Sequence, residues 1–82
     1  MILHRLKIET NYLNNLISGT KKVEIRFNDR DYQKGDVLEF CDYSKLNPEY
    51  HFFQITHIHS GLGMERNYVC LSVQKTDSPK WA

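Results

Sequence analysis

From Val23 to Asn28 apolar and polar residues alternate without interruption, Val23, Ile25 and Phe27 against Glu24, Arg26 and Asn28, a period of two that suits a β-strand. A pleated strand sends the two sets to opposite faces, so the expectation is that the apolar three enter a core and the polar three face away from it. Lys21 and Lys22 lie just before this strand, and Asn28-Asp29-Arg30-Asp31 runs on from its end, with Gly35-Asp36 beyond. Charges alternating on an exposed strand often serve solubility alone, and exposed ion pairs add little stability. Spacing therefore leaves two readings open, a solvated ion-pair face or a ligand site.

The rest of the chain must supply the core. At 82 residues it is read as one domain, 1–82, too short for two cores. Ile2, Leu6 and Ile8 with polar neighbours suggest a first strand, and Thr10 is the expected N-cap of a short helix that ends near Ser18, with Gly19 as its stop. Leu13, Leu16 and Ile17 form one apolar stripe on that helix, suited to plugging one end of a small sheet or barrel, with Tyr12 beside it. Turn chemistry at Asn28–Asp31 and at Gly35-Asp36 precedes Val37-Leu38-Glu39-Phe40, read as the partner of the central strand in a hairpin-like pair. A long strand from Tyr50 to Ile58 breaks strict alternation, since adjacent Phe52 and Phe53 are followed by Ile55 and Ile58, which implies a bulge or a twist that changes the buried face. Gly61-Leu62-Gly63 marks another turn, Val69, Leu71 and Val73 alternate in a last strand, and residues 76–82 read as a loose tail.

Five strands following one another without crossover helices, plus one short N-terminal helix, predict a mainly β (α+β) chain folded as a small closed or half-closed barrel. The count alone equally allows an OB-like or SH3-like barrel. With 40% hydrophobic and 12% aromatic residues, the core needs no staple.

Composition also excludes functions. Eleven Lys and Arg against ten Asp and Glu give a net charge of +1, so no overall basic excess holds the chain to nucleic acid, and RNA binding would have to come from a local patch. Nothing signals DNA in particular, and oligomeric state is left open. Cys41 and Cys70 lack the paired spacing of a zinc ribbon or a redox motif and read as buried, reduced thiols. His57 and His59 share a strand face, but with no third ligand evident nearby and with His4 and His51 isolated, no metal or cofactor is expected. Charge at Arg5 falls where a signal peptide would be apolar, and no stretch approaches a membrane span, so the expected location is cytoplasmic, away from membranes.

The order Gly19-x-Lys21-x-x-Glu24-x-Arg26, then Asn28-Asp29-Arg30, then Gly35-Asp36, resembles the activating signal cointegrator homology (ASCH) domain of the PUA-like superfamily, above all its small bacterial and phage branch. The likeness extends to the strand-helix unit His4 to Ile17 and the closing strand Tyr68-Val69-Cys70-Leu71. It implies a small PUA-like β-barrel with a polar cleft that binds RNA or a nucleotide-like small molecule. In hydrolase relatives a threonine matching Glu24 acts as nucleophile with the lysine matching Lys21 as its base. Glu24 cannot act as that alkoxide, so a hydrolase acting on modified nucleosides or RNA is the alternative only if Glu24 activates water.

Several residues are candidates for this chemistry. Lys21 can grip an anion or lose its proton at a desolvated corner, although strand parity puts Lys22 rather than Lys21 on the face of Glu24 and Arg26. Following the family, Lys21 is preferred, which needs an irregular first residue or a site beyond the strand's end. Arg26 offers a planar fork for phosphate or a base edge, and Glu24 could orient it or accept a proton. Arg30 would add a second cation beside Arg26 at the mouth of the cleft, with Asp29 next to it in the motif, although it could equally bridge Asp29 and Asp31 in a capped turn. Tyr32 would offer a ring for base stacking, Lys7 another cleft cation, and His57 a hydrogen-bond partner. Phe27, Tyr43, Tyr50, Phe52 and Phe53 read as core, and Trp81 as a terminal packing residue. A third reading is a protein-interaction adaptor using an exposed strand edge.

Overall fold

The alternating segment forms a strand as its period requires, but its two faces are reversed. In the computed structural model, which describes residues 1–82, the order is β1 (Leu3–Leu6), α1 (Thr10–Ser18), β2 (Val23–Phe27), β3 (Val37–Asp42), β4 (Glu49–His59) and β5 (Tyr68–Thr76). These five strands make one sheet in the order β1-β3-β4-β5-β2, curled into a half-barrel with α1 packed into it. The fold is mainly β, as the strand count predicts. No helix is long and apolar enough to cross a membrane.

The connectivity departs from a simple run of hairpins. β2 does not pair with β3; it pairs antiparallel with β5, while β1 pairs parallel with β3 across a connection that contains both α1 and β2. The hairpin expected before Phe40 forms instead after it, between β3 and β4. Turn residues mark where a chain bends, but not which strand lies beside it afterwards. The bulge expected in β4 is present as a register shift between Ile55 and His57.

The core is a single cluster of Leu13 and Leu16 from α1, Tyr32 from the connection between β2 and β3, Leu38 and Phe40 from β3, Phe53 and Ile55 from β4, and Val69 and Leu71 from β5. With nine residues α1 is too short to be stable alone, so its helical state depends on burying that stripe. It begins at Thr10, with Glu9 rather than Thr10 as its N-cap, and ends at Gly19, whose φ of +84° continues the chain in the left-handed region at little steric cost.

Register with β5 explains the reversal in β2. Glu24 faces Leu71 and Arg26 faces Val69, both buried partners, whereas Val23, Ile25 and Phe27 face Ser72, Cys70 and Tyr68. Neighbours across a ladder share a face. Glu24 therefore points inward and is 5% exposed, while Ile25 and Phe27 point outward at 58% and 50%. The expectation that the apolar three enter the core is overturned. Phe27 instead meets Tyr68 edge to face on the outer surface, their ring centres 5.6 Å apart.

Other expectations also change. Cys41 and Cys70 are free thiols, but half-buried rather than buried. Among the aromatics read as core, Phe53 is buried and Phe52 half-buried, but Tyr43 and Tyr50 are exposed. Thr76 belongs to β5, so the segment beyond the last strand begins at Asp77. Trp81 is about half exposed.

Candidate functional site

Gly19 turns the chain out of α1, and the Lys21 N–H donates to the Asn15 carbonyl at 3.0 Å, fixing the path between helix and strand. Lys21 thus sits before β2 rather than in it, free of the strand's parity, and its Nζ reaches Glu24 Oε1 and donates to the Val23 carbonyl at 2.6 Å. Lys22 is exposed and its carbonyl accepts the Val73 N–H, so it belongs to the sheet. The structure therefore brings Lys21, not Lys22, to Glu24, by placing it beyond the strand's end.

The other Glu24 oxygen is held by Arg26. Nε donates to Oε2 at 2.8 Å, and Nη2 lies 2.7 Å from the same atom. Nη2 also donates to the Lys7 carbonyl at 2.7 Å, which ties β2 to the segment after β1, the opposite edge of the half-barrel. The guanidinium lies over the Phe40 ring at 5.6 Å, so its inner side rests on the core. The Glu24 side chain is only 7% exposed, against 26% for Lys21 and 22% for Arg26. The carboxylate is spent, whereas the cations are not. Arg26 Nη1 makes no hydrogen bond within the chain and keeps both its N–H donors, and one of the three on Lys21 Nζ is also left over.

These donors border a hollow of about 510 Å³, with Lys7, Ile8, Glu9 and Tyr12 on one wall and Lys21 and Val23–Arg26 on the other. Tyr12 presents its ring to Lys21, 5.8 Å from Nζ to the ring centre. A second hollow of about 330 Å³ adjoins it, bordered by Arg5, Lys7, Arg26, Asp29, Arg30 and Tyr32. Arg26 and Lys7 line both, so the bond between them divides one polar furrow in two. Lys21 and Glu24 thus lie on one side of that divide, and Asp29 and Arg30 on the other. Arg30 takes part in no ion pair, which removes the reading that it bridges Asp29 and Asp31.

Tyr32 does not present a stacking face. It is 4% exposed, its ring set edge to face against His4 at 4.8 Å, with its N–H donating to Asn28 Oδ1. Only part of it reaches the floor of the smaller hollow. Burial pushes its hydroxyl pKa up, and the nearby Arg26 and Arg30 guanidiniums oppose that shift without cancelling it. His57 is exposed and borders neither hollow, so it does not line the cleft. No group of three or more His, Cys, Asp or Glu is placed to hold a metal ion.

Gly35-Asp36, the last part of the sequence motif, does a different job. Asp36 Oδ1 accepts the Ile2 N–H at 3.0 Å, and Oδ2 accepts the Gln33 N–H at 3.0 Å and lies 2.9 Å from His4 Nε2. Burial pushes this carboxyl up, but the bonds from His4, Gln33 and Ile2 outweigh it and hold the pKa below the ordinary aspartate value. In the sequence Gly35-Asp36 reads only as a turn, and nothing local ties residue 4 to residue 36, so the Asp36–His4 pair leaves no sequence signal. Tyr43 and Tyr50, expected in the core, instead border a third hollow of about 700 Å³ with Arg5, Lys7 and Phe52.

No curated protein matches the chain. The family described as a domain of unknown function (DUF3850) matches residues 3–73, a span that holds every candidate residue above. The chain belongs to the DUF3850 family.

Proposed function

We propose that the furrow between β2 and the Lys7–Tyr12 segment binds RNA or a nucleotide-like small molecule, the function implied by the resemblance to ASCH domains. One observation carries this reading. A buried carboxylate holds two cations in fixed positions, and each keeps unspent N–H donors at the rim of a hollow large enough for a nucleotide. Arg26 supplies the planar fork that suits phosphate or a base edge, Lys21 a second charge, and Tyr12 an aromatic wall. Glu24 acts as a positioning residue. Preorganised cations need no rearrangement on binding, which lowers the cost of association. A cytoplasmic setting fits this reading.

The hydrolase alternative requires Glu24 to take a proton from water. Both its oxygens are already held by cations, which favours binding over turnover.

The test is an NMR titration of the protein with nucleoside monophosphates and short single-stranded RNA. The expected result is shift changes concentrated at Lys21, Arg26 and Tyr12. Changes spread evenly, or centred elsewhere, would overturn the assignment. Turnover of acylated nucleosides that Glu24→Gln abolished would instead favour the hydrolase.

A further inference from the structure

Barrels this small gain stability by burying aromatics, yet Tyr50 and Phe52, on the face of β4 turned away from the core, and Tyr43, in the turn after β3, line one hollow together. Tyr43 and Tyr50 are 77% and 57% exposed, and Phe52 is half-buried. Pairing sets Arg5, Glu39 and Phe52 in one row across β1, β3 and β4, with Cys41 beside Tyr50 in another. These residues line the hollow of about 700 Å³, the largest of the molecule, together with Leu6, Lys7 and Tyr43.

Rings alone would suit an apolar peptide equally well; the charges select a polyanion. Arg5 pairs with Glu39, Nε lying 3.0 Å from Oε2, and its side chain is 80% exposed, so its guanidinium remains open to a further anionic group. Lys7 is in no ion pair, and the neighbouring Glu49 is held by Lys45 at 2.9 Å. Lys7 also lines both hollows beside Arg26, so the cationic border runs unbroken from Lys21 and Arg26 past Lys7 to Arg5.

We propose that this outer aromatic face is a stacking track for single-stranded RNA, continuous with the Arg26 furrow around the edge formed by β1. The inference rests on the RNA reading above and extends it. The sugar-phosphate backbone follows Arg26, Lys7 and Arg5, while successive bases stack on Phe52, Tyr50 and Tyr43. Stacking accepts any base and adds to affinity base by base, so the track reads length rather than sequence.

The experiment measures the affinity of the full chain for uridine monophosphate and for an oligouridylate of about eight nucleotides, a length within the usual range of such tracks. The Tyr43→Ala/Tyr50→Ala double variant is expected to lose at least about fivefold in oligomer affinity while binding the monophosphate as before. Tyr43→Phe/Tyr50→Phe, which keeps the rings, is expected to retain oligomer binding. Unchanged oligomer affinity in the alanine variant, with binding still lost on Arg26→Ala, overturns the track and leaves the furrow standing. Absence of binding by the unaltered protein to either ligand overturns both, as does a demonstration that an apolar peptide, and not the oligomer, occupies this face.

Discussion

Glu24 and Asp36 are both buried carboxylates, 5% and 2% exposed, and their surroundings differ in one decisive respect. Asp36 takes two backbone N–H groups and a histidine ring, all with short reach, and these hold the start of β1 against the turn before β3. Glu24 takes the ends of two long cationic side chains that still have donors to give. A carboxylate whose partners are exhausted is a clamp. One whose partners keep free donors beside a hollow has the geometry to present them to a ligand, as proposed above.

This contrast orders the stability of variants. Asp36→Ala strands the Ile2 and Gln33 amides and the His4 ring inside the fold, and is expected to cost about 3 kcal/mol in denaturant unfolding. Arg26→Ala leaves one Glu24 oxygen without its partner while Lys21 remains, for an expected loss of about 1 to 2 kcal/mol. Glu24→Gln leaves cations able to turn to water, and about 1 kcal/mol is expected. Equal losses at Glu24 and Asp36 would mean that both are clamps and that the furrow is incidental.

Acid titration sharpens the same distinction. The folded pKa of Asp36 lies below its unfolded value, so its contribution is present in full above about pH 4 and is lost as pH falls through the folded value. Asp36→Asn is therefore expected to flatten the decline in stability below about pH 4, measured by urea unfolding across that range. A decline as steep as that of the unaltered protein would assign it to other carboxyls. The smallest effect belongs to the outer face of β2. Ile25→Thr, at a position 58% exposed, is expected to change stability by less than about 0.5 kcal/mol. A loss of several times that size would mean that this stripe is covered.

Local structure was legible in the sequence where one short segment decides the outcome. Gly19 ends α1, Leu13 and Leu16 form its buried stripe, and the broken alternation over Phe52, Phe53, Ile55 and Ile58 announces a bulge, which lies at Ile55–His57 while Phe52-Phe53 stays in register. Pairing was not legible, because it depends on distant segments. Val23, Ile25 and Phe27 alternate as a core-facing strand should, and only the register with β5 turns them outward. The grouping of Lys21, Glu24 and Arg26 was visible as charge spacing. What spacing could not show is that the carboxylate lies inside with the cations closing over it. Tyr32 failed as a stacking ring for a related reason. Its polar surroundings in sequence, Asp31 and Gln33, conceal that His4 comes from β1 to pack against it.

The most direct test of the furrow is the affinity of the unaltered protein and of Arg26→Ala for short single-stranded RNA at several salt concentrations. If Glu24 holds Arg26 ready for a phosphate, the variant binds more weakly and its slope of log affinity against log salt is shallower by about 0.7, the share of a single neutralised phosphate on a single strand. Identical affinities and slopes for the two proteins would contradict the account.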